Sequence, residues 1–256
     1  MNKKNINKNS RVAIVTGGTK NIGLAVCKAL LKNNIKVAIV GSNDDSIKNT
    51  FNQSEIAIFK ESIVKGYVCD LSNITNIKDL VTEVSNDFGG IDIIINSAGI
   101  LDLSKVEETS LEKWNETMAI NLTAPFFLVQ NALTFLKKSS LPRIINIASN
   151  AGRMGGYANG MSYTASKGGL ISLTYGLARQ LAKWDITVNC VAPGTIESDM
   201  LESRDPHIKN KLLENFPLRR FGDCDEVSEA VMYFVSEKSS FTTGAVLDVN
   251  GGLFTG

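Results

Sequence analysis

Short apolar runs alternate along the chain with longer stretches in which apolar residues recur every three or four positions. The short runs predict buried strands over 12–15, 36–40, 66–69, 91–96, 143–148, 186–191 and 246–249. The longer stretches predict helices over about 24–31, 43–63 (irregular near 51–54), 73–87, 110–138 (broken near Asn121), 161–184 and 224–236. Because strands and helices alternate without a repeat or a composition break, the chain is predicted to form a single α/β domain. The expected fold is a doubly wound, Rossmann-type parallel sheet of about seven strands with helices on both faces.

The first residues and the composition of the chain argue against a secreted, membrane-spanning, nucleic-acid-binding or metal-binding protein. Residues 1–10 (MNKKNINKNS) lack the apolar core of a signal peptide and predict a flexible tail before one domain over 11–256. No apolar run approaches the roughly 18 residues of a membrane span. The net charge is +1 without a long basic run, so no nucleic-acid partner is expected. The four cysteines are scattered, which predicts no metal site and a cytoplasmic location.

A strand, a glycine-rich turn and a helix follow one another near the amino terminus. The turn is TGGTKNIG (16–23), in which Gly17 and Gly23 would let the backbone bend tightly. The amino terminus of the following helix would favour a pyrophosphate. The glycine spacing differs from G-x-G-x-x-G, and a P-loop is excluded because G-x-x-x-x-G-K-S/T is missing. Such a turn also has a purely structural interpretation, so it needs support from other motifs.

The end of the second predicted strand carries no acidic residue. Dinucleotide-binding folds usually place an acid there to hold the ribose hydroxyls, but this chain has Gly41, Ser42 and Asn43. Lys20 on the glycine turn would add a cation. The two aspartates that follow Asn43 would begin a helix and complement its dipole. The pattern favours NADP(H) over NAD(H).

Three side chains form a candidate acid/base group. Tyr163 and Lys167 are four residues apart and would share one helical face. A tyrosine titrates near 10, and a nearby ammonium lowers that pKa toward neutrality. Ser149 follows the strand predicted at 143–148, where ligands bind in parallel sheets. The spacing alone also fits an ordinary half-exposed helix face.

Taken together, the motifs resemble the short-chain dehydrogenase/reductase family from about Arg11 to the carboxyl terminus. They are TGGTKNIG, Asp70 after the third strand, NSAG (96–99), Asn121 in AINLTAPF, Ser149, YTASK (163–167) and the Pro-Gly of APGTIESDM. The resemblance implies that Tyr163 is the proton donor in carbonyl reduction. It implies that Lys167 lowers the pKa of Tyr163 and binds the nicotinamide ribose. Ser149 would orient the carbonyl, and Asn121 would support a water relay to Lys167.

The same resemblance implies a cofactor site spread over the carboxyl ends of the strands. Its residues would be Gly17, Asn21, Ile22 and Gly23 at the pyrophosphate; Lys20, Ser42 and Asn43 at the NADP phosphate; Asp70 and Leu71 at the adenine; Asn96, Ala98, Gly99, Tyr163 and Lys167 at the ribose and nicotinamide; and Pro193, Gly194, Thr195 and Ile196 at the carboxamide. The chain departs from the family pattern where Asn21 replaces a glycine. It also departs between Ser149 and Tyr163, where it is one residue longer.

Among family members, the pattern is most similar to 3-oxoacyl-(acyl-carrier-protein) reductases, which implies reduction of a 3-oxoacyl thioester. A carrier protein would meet Lys137, Lys138 and Lys183, although Ser140 and Trp184 stand where an arginine is expected and the lysines equally fit a solvated face. A reductase of another small ketone, sugar or ring alcohol is the alternative, and a non-catalytic NADP-binding regulator is a more distant one. The resemblance also implies a homotetramer, and the segment 195–220, with the single histidine, predicts a substrate lid.

Overall fold

The sheet of this protein is entirely parallel. The computed structural model describes residues 11–156, 159–198, 201, 207, 209 and 213–256. The strands are β1 (Val12–Thr16), β2 (Lys36–Gly41), β3 (Val64–Val68), β4 (Ile93–Asn96), β5 (Arg143–Ile147), β6 (Thr187–Pro193) and β7 (Val246–Val249). They form one seven-stranded sheet in the order β3-β2-β1-β4-β5-β6-β7. The predicted doubly wound sheet is therefore confirmed.

Helices cover both faces of the sheet. They are α1 (Asn21–Lys32), α2 (Asp44–Phe51), α3 (Ser54–Ala57), α4 (Ile74–Phe88), α5 (Leu111–Met118), α6 (Ala124–Leu136), α7 (Ala151–Met154), α8 (Met161–Leu181) and α9 (Cys224–Val235). Successive strand residues point to opposite faces. Val12 and Ile14 pack with α4, α6 and α8, whereas Ala13 and Val15 pack with α1 and α9. The short apolar runs of the five central strands are thus buried from both sides, whereas the edge strands β3 and β7 are partly exposed.

The third strand begins at Val64 rather than at residue 66, where it was predicted. Gly66 interrupts the apolar run that would have marked the strand. A Cβ atom at Gly66 would lie 2.3 Å from Cγ2 of Ile47 in α2. The glycine therefore weakens the strand pattern but lets the helix approach the sheet.

Three other elements differ from the prediction, and the last of them, α3, ends at Ala57 rather than at residue 63. The break expected near Asn121 is a π-helical turn, Ala119–Thr123, which joins α5 to α6 without a loop. The four-residue helix α7 was not predicted. The predicted helix at 43–63 is the pair α2 and α3, separated near the expected irregular middle. The lid predicted at 195–220 lies partly outside the described residues.

One helical run in the described part of the chain has the length and composition of a membrane span. It is Leu111–Leu136, with 26 residues and a mean hydropathy of 1.3 over its most apolar window. In the fold this run contacts α4 and α8, and Leu128, Ala132 and Leu136 are buried in the core. Packing within the domain thus accounts for many of its apolar residues.

Candidate active site

A cavity of about 720 Å³ lies along the carboxyl edge of the sheet. The segments that follow β1 to β6 line it, with residues 17 and 19–23, 41–42, 69–71, 97–101, 148–151 and 193–196, together with Tyr163 and Lys167 of α8. Parallel strands present their carboxyl ends at the same edge, and the strand order reverses between β1 and β4. This is where open α/β sheets bind ligands.

The turn between β1 and α1 is held against the loop after β4. Thr16 Oγ1 accepts hydrogen bonds from the backbone N–H groups of Ser97 and Ala98, both at 3.1 Å. Gly17 has a φ of +64°, and a Cβ atom there would lie 2.8 Å from the Cα of Ala98. A Cβ atom at Gly23 would lie 2.2 Å from the carbonyl oxygen of Gly17. Only glycine permits this packing, and it leaves the backbone open to the cavity.

Asn21 occupies the left-handed region, with a φ of 48°. The family has glycine at this position, and asparagine is one of the few other residues that adopt this conformation readily. Asn21 begins α1, whose amino terminus has neither a side-chain cap nor an acidic residue in its first turn. The unpaired N–H groups of that turn therefore suit a pyrophosphate.

The end of β2, beside the cavity, leaves little room for an acidic side chain. A Cβ atom at Gly41 would lie 2.6 Å from Ser46 Oγ and 2.8 Å from Thr19 Cγ2, so an aspartate there would displace its neighbours. Ser42 and Lys20 line the cavity. Lys20 has no ion-pair partner in the part of the chain that the structure describes.

Asn43 does not line the cavity, although it was predicted to contact the NADP phosphate. Its Oδ1 accepts the backbone N–H of Ser46 at 2.8 Å and caps α2, while its Nδ2 lies 3.3 Å from Ser42 Oγ. Its side chain thus bonds to the start of α2 and to Ser42.

The predicted adenine end of the site is formed by Asp70 and Leu71, which line the cavity. Hydrogen bonds from Ser72 lower the pKa of Asp70.

Lys167 is almost fully buried beside Tyr163. Its Nζ donates to the carbonyl oxygen of Ile147 at 2.8 Å and lies 5.8 Å from the centre of the Tyr163 ring. Burial lowers the pKa of Lys167 from its ordinary value to about 8. Because solvent screens a buried ammonium only weakly, its electrostatic attraction for a neighbouring phenolate is strong. The predicted tyrosine–lysine pair therefore lies together on the cavity.

Ser149 is buried directly after β5 and lines the same end of the cavity. Its Oγ accepts the backbone N–H of Ala151 at 3.1 Å and donates to Oδ1 of Asn150 at 3.1 Å. The structure therefore brings Ser149, Tyr163 and Lys167 to one wall of one cavity.

Two predicted site residues, Asn121 and Asn96, are buried away from the cavity lining. Asn121 Oδ1 accepts the N–H of Ile100 at 2.9 Å, and its Nδ2 donates to the carbonyl of Ile100 at 3.0 Å and to Ser166 Oγ at 3.1 Å. The side chain thus ties the loop after β4 to α8, and its role in a water relay stays a prediction. Asn96 Nδ2 donates to Oδ1 of Asn146 at 2.8 Å, inside the sheet.

Asp102 makes a second tie between that loop and α8, and sequence reasoning missed it. The carboxylate is 1% exposed and accepts from Ser162 Oγ at 2.5 Å and from Ser104 Oγ at 2.6 Å. Its carbonyl oxygen accepts the N–H of Gly160 at 2.8 Å. Because α8 has no side-chain cap of its own, Asp102 supplies a polar partner to its first turn, which carries Tyr163. No motif marks this residue.

A further set of lining residues forms a candidate substrate end of the cavity, and four of its members lie in the lid predicted at 195–220. The set consists of Ile100, Leu101, Ile120, Asn150, Gly155, Gly156, Asn159, Ser198, Leu201, Asn215, Phe216 and Leu253. They come from loops far apart in the sequence, so their convergence is visible only in the fold. Lys20, Asp70 and Lys167 are the charged side chains among the described lining residues, and none of them belongs to this end. The apolar side chains at this end are those of Ile100, Leu101, Ile120, Leu201, Phe216 and Leu253.

Comparisons with known proteins agree with this geometry. The profile of a family described as "Enoyl-(Acyl carrier protein) reductase" matches residues 17–254. The chain is 37% identical over 244 residues to the 3-oxoacyl-(acyl-carrier-protein) reductase FabG of Aquifex aeolicus, covering 95% of this chain and 97% of the relative. It is 34% identical over 249 residues to the FabG of Buchnera aphidicola, covering 97% and 99%.

A solved structure titled "Crystal structure of gox2181" superimposes with a TM-score of 0.90 at 28% identity, covering 96% of each chain. The similarity in sequence and in fold therefore extends over nearly the whole chain, including every segment that lines the cavity. On these grounds the chain belongs to the short-chain dehydrogenase/reductase family, whose oxidoreductases work with NAD(H) or NADP(H).

Proposed function

We propose that this chain reduces the keto group of a 3-oxoacyl thioester with NADPH. The observation that carries the proposal is the placement of Tyr163 beside the buried ammonium of Lys167, on a cavity whose substrate end has no charged side chain among the described residues. The two relatives named above are 3-oxoacyl-(acyl-carrier-protein) reductases, and the chain matches them over nearly their full length. The cavity lining and the relatives both support a keto group in an uncharged part of the substrate as the group that is reduced.

The protein's residues divide the work as follows. The glycine turn and the amino terminus of α1 would hold the pyrophosphate, and the bound cofactor supplies the hydride. Ser149 donates a hydrogen bond to the carbonyl oxygen and fixes its direction. Tyr163 gives its phenolic proton to that oxygen as the alkoxide forms. The Lys167 ammonium stabilises the phenolate that is left behind.

A basic and aromatic cluster supports a carrier-bound substrate. Lys137 Nζ lies 3.8 Å and Lys183 Nζ 4.3 Å from the centre of the Trp184 ring. Both ammonium groups thus lie against one indole ring, and two cations at one site suit an acidic surface. The cluster lies after α6 and α8, at the sheet edge opposite the cavity. A carrier docked there would serve the cavity of another subunit, and this requires the predicted homotetramer, which sedimentation velocity checks.

The direct test is NADPH oxidation with acetoacetyl-coenzyme A, beside a panel of a cyclic ketone, a keto sugar and a simple aliphatic ketone. Turnover that prefers the thioester supports the proposal. Turnover confined to another ketone would move the substrate to that class. NADPH binding without turnover of any ketone would instead support a non-catalytic regulator.

Lys20→Ala is expected to raise the KM for NADPH about tenfold or more and to leave the KM for NADH nearly unchanged. A charge-assisted hydrogen bond to a phosphate contributes about 1.5–3 kcal/mol, and only NADPH carries the 2′-phosphate. Steady-state kinetics with both cofactors measures the effect. Lys32→Ala, at the other end of α1 and also exposed, is the matched control. Equal losses with both cofactors would contradict the assignment of Lys20.

The kcat/KM for carbonyl reduction is expected to fall as the pH rises through about 8, the pKa of Lys167 in its buried position. Above that pH the ammonium loses its proton, so it no longer stabilises the phenolate of Tyr163. A profile of kcat/KM against pH in the free enzyme reports this group. In Lys167→Arg the guanidinium keeps its charge, so residual activity should lack this fall. A wild-type profile that is flat to pH 10 would overturn the prediction.

A further inference from the structure

The hydroxyl of Ser149 uses its proton and one of its two lone pairs in hydrogen bonds within the protein. A serine hydroxyl has one proton to donate and two lone pairs that accept. Ser149 Oγ accepts from the N–H of Ala151 and gives its proton to Oδ1 of Asn150, each over 3.1 Å. In this arrangement the proton that should reach a carbonyl oxygen is held by the neighbouring amide.

We propose that Asn150 is a positioning residue that sets the direction of the Ser149 proton. This inference rests on the carbonyl reduction proposed above. When the side-chain amide turns over, its Nδ2 replaces Oδ1 beside Ser149 and donates to the second lone pair. Both lone pairs are then occupied, by Ala151 and by Asn150. The single proton of Ser149 is left to point at the substrate oxygen.

The surroundings of Asn150 permit this turn without moving the chain. Its backbone N–H donates to the carbonyl of Pro193 at 2.8 Å, and its carbonyl accepts from Arg153 at 2.9 Å and Met154 at 3.0 Å. The main chain is therefore fixed on both sides. The side chain lines the cavity, and its hydrogen bond to Ser149 is the one that the described structure gives it. The oxygen and nitrogen of an amide occupy nearly the same space, so the two orientations fit equally well.

Two substitutions separate orientation of the proton from simple packing. Asn150→Asp keeps the shape but, when ionised, can only accept, so it holds the Ser149 proton away from the substrate. Asn150→Leu keeps the bulk and removes both donor and acceptor. We expect kcat at pH 7.5 to fall about a hundredfold in Asn150→Asp, the loss typical of one oxyanion donor, and about tenfold in Asn150→Leu. A purely structural role gives the opposite order, because aspartate is the closer mimic of asparagine.

The pH dependence adds a readout that packing would not move. Activity of Asn150→Asp is expected to recover relative to the wild type as the pH falls toward about 5, because the introduced carboxyl gains a proton that it can donate. Among the lining residues that the structure describes, the titratable groups at this end of the cavity are Tyr163 and Lys167, both on α8. If the carboxylate introduced by Asn150→Asp lowered activity by acting on the charge of Tyr163 or Lys167, that loss would also occur in a variant that lacks the Ser149 hydroxyl. The double variant Ser149→Ala/Asn150→Asp should therefore lose no more activity than Ser149→Ala alone.

These kinetics use the ketone from the panel that the wild type reduces best. A failed thioester assay therefore counts against the proposed substrate and leaves the comparison of variants intact. A crystal structure with NADP and a bound ketone, at roughly 1.1 Å so that amide atoms are distinguished, gives a readout without turnover. We expect Nδ2 of Asn150 to face Ser149. Oδ1 facing Ser149 in that complex, or Asn150→Leu being less active than Asn150→Asp, would overturn the proposal.

Discussion

Replacing Tyr163 with phenylalanine is expected to lower kcat for carbonyl reduction by about a thousandfold, within the range that general acid catalysis contributes. The substitution removes the proton donor and keeps the ring, so the contact of the ring with Lys167 is retained. Cofactor affinity should change little, because the glycine turn and α1 would hold most of the nucleotide. Stopped-flow and steady-state rates measure the first effect, and titration of NADPH fluorescence measures the second.

The matched control is Tyr175→Phe. Tyr175 lies on the same helix but is 39% exposed and does not line the cavity. Its loss of a hydroxyl should leave kcat near the wild-type value. Wild-type turnover in Tyr163→Phe would remove tyrosine from the role of acid and with it the proposed mechanism.

Gly23→Ala is expected to abolish measurable NADPH binding and to destabilise the domain. The added Cβ atom would lie 2.2 Å from the carbonyl oxygen and 2.8 Å from the carbonyl carbon of Gly17, which are backbone atoms that cannot rotate away. Overpacking of this kind costs about 3 kcal/mol or more, which corresponds to a fall in Tm of roughly 10 °C for a domain of this size. Differential scanning calorimetry and isothermal titration with NADPH measure the two effects.

Gly90→Ala is the control for Gly23→Ala, since a Cβ atom at Gly90 would meet nothing within 4 Å. Its Tm and its NADPH affinity should match those of the wild type. If Gly23→Ala bound NADPH as tightly as Gly90→Ala, the glycine turn would not be the pyrophosphate site.

The alternation of apolar runs was enough to predict the sheet, because the five central strands are buried from both sides and leave a clear pattern. The motif residues Ser149, Tyr163 and Lys167 could be placed together since all three lie at the carboxyl edge of that sheet or on the helix beside it. Their positions follow from the order of strands and helices along the chain. The spacing of apolar residues is what predicts those strands and helices.

Polar side chains were harder to predict because their partners are distant in sequence. Asn121 bonds to Ile100, 21 residues away, and Asn96 bonds to Asn146, 50 residues away. A pattern of burial shows which face of an element is covered, but not which polar groups pair there. For this reason the helix-capping contact of Asn43 and the sheet contact of Asn96 were not predicted, and Asp102 was missed. Their contacts with a cofactor stay predictions.

The dependence of α8 on Asp102 has a consequence for how the chain folds. The donor, Ser162, and the acceptor, Asp102, are 60 residues apart, so closing this contact requires a long loop to form. The first turn of α8, which has no local cap, cannot be secured by the helix alone. A partly folded chain would therefore contain much of α8 while its tyrosine-bearing turn still frays. The turn that carries Tyr163 therefore gains this polar partner only when the loop after β4 has docked against α8.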